Sequence, residues 1–300
     1  MLKFYIDQYL TYCRKKGLDD NTLKAYGIDL KQFASVVTDS IPPTNEELVG
    51  YLTSIIEKSQ LSTARRKITS VRSFYSYLED SGVIEENPFF ADKKVRSLTA
   101  LSAPKYGSHL GIPLNTLQTL FDAVYARKRK AHTTYESKVI KRDIAVIELL
   151  FSTGISISEL SVLSQADVDL TERTVSIHGR GARERVIVMK DEHVIDAMRE
   201  YQDAYSRELR ESEHWFINRR KKRLSEQSVR DMINRYCEQA GITLHITPKM
   251  FRYSFGALHL EQGGDIRELR RILGHAGSCT TEKYEAAVSL INRNESKENK

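Results

Sequence analysis

The sequence predicts a mainly α protein in two parts: a helical N-terminal unit, then a mostly helical unit that becomes α+β through one small β-hairpin. Three observations carry this. Apolar residues recur at helical spacing through most of the chain. Period-two alternation is confined to T-V-S-I-H at 174–178 and R-V-I-V-M at 185–189, which flank a Gly-bounded turn. Residues 91–111 form a polar, basic, interrupted stretch of linker character between the halves.

In residues 1–90, Asp20 or Asn21 caps a helix whose apolar positions are Leu23, Tyr26, Leu30 and Phe33. After Pro42-Pro43, Thr44 and Glu47 form a capping box that opens a helix with Leu48, Leu52, Ile55 and Ile56 facing inward. Ser62 begins another, with Ile68, Val71, Phe74 and Leu78 on its core face and Arg65, Arg66, Lys67 and Arg72 left as a basic side. Asn87-Pro88 stops it. Lys93 and Lys94 add charge to the linker.

The second domain spans 112–292, with a polar, frayed tail at 293–300. Pro113 and Asn115 precede a helix with Leu117, Leu120, Phe121 and Val124 inward. An amphipathic helix from about Val139 closes at Gly154, and S-I-S-E-L-S-V-L makes the next. The hairpin turn G-R-G-A-R-E-R follows, carrying Arg180, Arg183 and Arg185. Further helices are expected at 191–210 and 225–241, with a short strand at 215–217. Pro248 starts another helix after a capping Thr247, and Gly263-Gly264 ends it. Lys249 and Arg252 share one face of that helix. Asp265 caps a helix striped by Ile266, Leu269, Ile272 and Leu273. Gly274 and Gly277 flank His275, and Thr280-Thr281 opens a last helix carrying Tyr284.

Composition narrows the function. With 300 residues, 40% of them hydrophobic, the chain can bury two moderate cores. Its net charge of +6 is clustered, as binding to a polyanion requires. Cys13, Cys237 and Cys279 are too scattered for a disulfide framework or a zinc site, which fits a reducing cytoplasm. No apolar run is long enough for a membrane span, and the N-terminus has no secretory pattern.

An Arg on one helix, a His on a Gly-bounded turn and a Tyr on the next element supply cation, hydrogen-bond donor and nucleophile for a phosphodiester. One Tyr among 15 would mean little alone. The ordered set T-P-K-M-F-R-Y, L-G-H and a Tyr nine residues after that His resembles the C-terminal signature of the tyrosine recombinases, the phage-integrase and Xer family. The resemblance runs the length of the chain. It implies a SAM-like helical core-binding domain followed by a catalytic domain with a small sheet. It also implies DNA strand exchange through a 3′-phosphotyrosyl intermediate, with no metal or cofactor.

Carried onto this chain, the family site falls on Ser156, Arg180, Lys249, Arg252, His275 and Tyr284. Arg252, His275 and Tyr284 match the family's residues. Ser156 stands where the family has its first Arg in T-G-x-R-x-x-E-L, Arg180 where it has Lys, and Lys249 where it has His. Loss of one transition-state donor costs roughly 2.7–4 kcal/mol, yet Arg252, Arg180 and Lys249 keep three formal positive charges, which suggests a rearranged site. Glu159, in the same motif, is expected to cap or brace rather than catalyse. Phosphate contacts are expected from Arg65, Arg66, Lys67, Arg72, Lys93, Lys94, Arg183 and Arg185. The implied partners are double-stranded DNA and further subunits, identical or related, on that DNA, with no membrane and no small-molecule substrate; the implied location is the cytoplasm, at the nucleoid. Three other readings stay open: a catalytically impaired or partner-dependent DNA-binding subunit, a type IB topoisomerase, and a repressor or architectural DNA-binding protein.

Overall fold

A computed structural model describes residues 1–101, 111–179, 184–275 and Tyr284. Arg180 and Arg183 lie outside the described residues, as do the tail at 293–300, Gly277 and Thr280-Thr281. The chain divides into two compact units, Met1–Tyr106 and Gly107–Lys300.

In the first unit, α1 (Leu2–Lys15), α2 (Asp20–Ala34), α3 (Asn45–Lys58) and α4 (Leu61–Asp80) enclose one apolar core. Leu30, Phe33, Leu48, Leu52, Val71, Phe74, Tyr75 and Leu78 are completely buried in it. The expected Thr44–Glu47 capping box is present in both directions. The cap of α2 is one residue earlier than predicted: Asp19 accepts from the Asn21 and Thr22 amides.

The stretch expected as linker is partly helical. Asn87 Oδ1 accepts from the Phe89 amide and Pro88 takes the first helical position, so Asn87-Pro88 opens α5 (Pro88–Ala91). Asp92 Oδ1 then accepts from the Lys94 and Val95 amides at 2.8 and 2.9 Å, starting α6 (Lys93–Leu101). Val95 is fully buried in the first core, Phe89 joins it and Leu98 packs against it, so these apolar anchors, with the two caps, outweigh a polar sequence.

In the second unit, α8 (Thr134–Thr153) runs through the centre, between α7 (Leu114–Arg129), α10 (Glu192–Ala204) and α13 (Pro248–Glu261). It starts five residues earlier than expected because Thr133 caps it through the Glu136 amide. It ends at Gly154, whose φ of 61° is left-handed. Its buried Asp143 receives Arg142, Arg235 and the Tyr236 hydroxyl, which ties it to α12 (Glu226–Gln239). After α9 (Ile157–Val162), the hairpin acquires a third strand: β1 (Val168–Asp169), β2 (Thr174–Ile177) and β3 (Arg185–Val188) pair antiparallel in that order, with Val175 opposite Ile187.

The helix expected at 191–210 breaks at Tyr205 into α10 and α11 (Ser206–Leu209). The strand expected at 215–217 is one isolated bridge, Ile217 to Arg223, while Trp215, Phe216 and Ile217 are all buried. The last helix before the site is α14 (Ile266–Leu273), capped by Asp265. No helix among the described residues is long and apolar enough to cross a membrane.

Candidate active site

Five chain segments of the second unit converge: the end of α8, the cap of α9, the start of β3, one face of α13 and the end of α14. Ser156 is the N-cap of α9, and its Oγ donates to Glu159 Oε2 at 2.7 Å while the Glu159 amide returns to Ser156. Glu159 thus caps, as expected. It also braces: its two oxygens take Arg185 Nη1 at 2.8 Å and Nη2 at 3.2 Å, and Arg252 Nη1 lies 3.7 Å from Oε2. Burial acts to raise the Glu159 pKa, but the hydrogen bonds from Arg185 and Ser156 outweigh it and hold the group below its ordinary value.

Arg252 is fixed by backbone. It donates to Gly154 O at 2.8 Å and to Leu273 O, main-chain acceptors left over where α8 and α14 end. Those helix ends also carry negative partial charge, which favours a cation. Arg185 Nε donates to the neighbouring carbonyl, Ile272 O. Two guanidinium groups therefore sit side by side across one carboxylate at the end of α14.

Tyr284 is only 3% exposed. Its ring packs at a 38° tilt against Tyr253, with centroids 4.8 Å apart, and lies 5.7 Å from the His275 ring. It rests on bare backbone: a Cβ at Gly256 would come within 2.3 Å of its Cδ1. Burial pushes the phenol pKa upward, while Arg252 opposes by charge and hydrogen bond. His275 is depressed to about 4, by burial first and then by Arg252, Arg185 and Arg270, so it is neutral near pH 7. Gly274, at φ 66°, closes α14 and delivers it.

Lys249 is exposed, with Nζ 5.5 Å from the Tyr253 ring centroid, one ring removed from Tyr284. Thr247 occupies the N-cap of α13 but, contrary to expectation, its side chain makes no capping hydrogen bond.

The expected phosphate contacts fare unequally. Lys93 and Lys94 are exposed on the first turn of α6. Arg66 is bound to the fully buried Asp29, so that charge is already neutralised. Arg72 lies over the Phe89 ring at 5.5 Å. Arg65 and Lys67 are half-buried on α4. Arg185 is 8% exposed and committed to Glu159, a brace within the site rather than an open contact. Gly256 and Tyr253 are site residues that the sequence reading missed; the signal was a mid-helix Gly four residues after Arg252, hence on the same face. Among the described residues no group of three or more His, Cys, Asp or Glu side chains is placed to hold a metal ion.

The sequence and the fold match a known family. The family described as "Phage integrase family" matches residues 124–289, and "Phage integrase, N-terminal SAM-like domain" matches residues 6–82. A tyrosine recombinase of Agathobacter rectalis is 37% identical, the alignment covering 99% of this chain and 98% of that protein. Tyrosine recombinase XerC of Thermodesulfovibrio yellowstonii is 31% identical over 94% of this chain and 91% of its own. Among solved structures, XerH site-specific recombinase bound to a palindromic difH substrate superposes with a TM-score of 0.75 at 16% identity, over 97% of this chain and 94% of that one. A lambda integrase dimer bound to a COC′ core site gives 0.70 at 15%, over 94% of each. The chain belongs to the phage integrase family of tyrosine recombinases.

Proposed function

We propose that this chain is a site-specific DNA recombinase that cuts and rejoins strands through a 3′-phosphotyrosyl intermediate at Tyr284. The observation that carries this is the meeting of the buried Tyr284 with the half-buried His275 and Arg252 in one cluster, although they come from three chain segments. Tyr284 Oη attacks the scissile phosphorus, the bond from phosphorus to the 5′ oxygen breaks, and that oxygen leaves as a hydroxyl after taking a proton. A 5′ hydroxyl of another strand then reverses the step, and the phenol regains its proton. Bond energy is conserved in the covalent link, so no high-energy cofactor enters.

Arg252 and Arg180 hold the non-bridging oxygens, His275 hydrogen-bonds the phosphate, and Lys249 donates a proton to the leaving oxygen or supplies the cation missing at Ser156. The depressed pKa of His275 supports a neutral hydrogen-bonding role. The raised pKa of Tyr284 means that its proton must be drawn off as phosphate approaches, which nearby cations assist.

In this reading residues 1–90 are the core-binding domain, 91–111 the connection, 112–292 the catalytic domain and 293–300 the tail. The chain acts on duplex DNA as an oligomer of identical or related subunits, in the cytoplasm and at the nucleoid. The DNA-bound recombinases that share its fold, one of them a dimer, support this assembly.

The test is to recover the bound DNA, build a nicked suicide substrate from it, and look for a denaturation-resistant protein–DNA adduct. Tyr284→Phe is expected to abolish the adduct and Lys249→Ala to reduce it strongly. Tight binding with no adduct, even with partner recombinases added, would leave a DNA-binding subunit instead.

A further inference from the structure

We propose that Arg185 is a positioning residue for strand cleavage: by occupying Glu159 it leaves the charge of Arg252 to the phosphate. This rests on Tyr284 being the nucleophile. Arg185 comes from the base of the hairpin, 26 residues after Glu159 in sequence, and is almost fully buried. A buried guanidinium is costly unless paired, and Arg185 shares its carboxylate partner, Glu159, with Arg252. Both cations reach the same carboxylate, and they donate to consecutive carbonyls, Ile272 O and Leu273 O.

The charge arithmetic gives the consequence. Arg185 and Arg252 with Glu159 sum to a net +1, available to a phosphodiester monoanion. Without Arg185, Glu159 has Arg252 as its neighbouring cation at 3.7 Å, and the sum falls to zero at the place where negative charge grows during attack. Ser156 cannot compensate, because its hydroxyl already donates to Glu159 and brings no charge. The fields of both guanidiniums act on His275, so Arg185 is electrically within the site.

The experiment compares wild type and Arg185→Gln at saturating DNA on two suicide substrates, one with the natural scissile phosphate and one with an uncharged methylphosphonate there. On phosphate the variant is expected to form adduct about 100-fold more slowly, the order given by loss of one preorganised donor, with DNA affinity near wild type and a melting temperature lowered by loss of the buried pair. On methylphosphonate, which carries one negative charge fewer through the attack and so depends less on a cation, the two proteins should agree within a few-fold. An equal loss on both substrates, or no loss on phosphate, overturns the proposal. Should Arg185→Gln not fold, Arg185→Lys keeps the charge but loses the fork; a several-fold loss confined to phosphate is expected, and an equal loss on both overturns the idea. Failure of the wild-type chain to form any adduct overturns the proposed function, and this inference with it.

Discussion

Gly256 is the residue on which the nucleophile's position depends. It lies inside α13 with no positive φ, so Ala there should favour the helix by roughly 0.8–1 kcal/mol. The same methyl would meet the Tyr284 ring at 2.3 Å. Gly256→Ala is therefore expected to leave DNA binding and melting temperature near wild type while cutting adduct formation at least tenfold; unchanged cleavage would mean that Tyr284 leaves this seat when DNA binds. His275 gives a second prediction. Its pKa falls from an ordinary value near 6.5 to about 4 on folding, so the unfolded chain takes up the proton first. Its contribution to stability is complete above pH 6.5 and is lost as pH falls toward 4. His275→Asn should flatten the stability profile in that window, measured by denaturant melts across pH. Cleavage rates of the wild type should show no imidazole titration between pH 7 and 8.

Among the elements, the end of α14 does the most to organise the site, since two arginines cap its last carbonyls and Gly274 turns the chain toward His275. The local parts of this arrangement were legible: Asp265, the apolar stripe and Gly274 mark a helix and its end, and the spacing to His275 and Tyr284 follows from motif order. Its long-range part was not. Nothing in S-I-S-E-L or R-E-R says that Glu159 and Arg185 will meet, because the sheet register and the placement of α9 decide it, and so Arg185 looked like one more exposed hairpin cation. Residues 93–101 show the opposite difficulty. Their polarity reads as linker, yet the signals for a helix were there in Asp92 as cap and Val95 as anchor. Asp92→Ala removes the acceptor of two amides and is expected to destabilise the first unit by about 0.5–2 kcal/mol, read as a shift of the denaturation midpoint.

For the whole molecule the question is which of its cations meet DNA, because a net charge of +6 is the sum of paired and unpaired groups. The sequence ranked Arg66 with Lys93 and Lys94, but their surroundings separate them. Arg66 is the partner of a carboxylate that is fully buried in the first core and also receives Ser70 Oγ at 2.8 Å. Lys93 and Lys94 are exposed at the start of α6, where cations oppose the helix dipole and gain nothing from the fold itself. Each phosphate neutralised contributes about 0.9 to the slope of log K against log salt. Lys93→Ala and Lys94→Ala are each expected to lower that slope by about one with little change in stability. Arg66→Ala should leave the slope nearly unchanged and instead cost about 1–3 kcal/mol of folding stability, as the cut that strands Asp29. A salt titration of DNA binding run beside denaturant melts separates the two kinds of basic residue, and a loss of slope with Arg66→Ala would show that its pair with Asp29 opens on DNA.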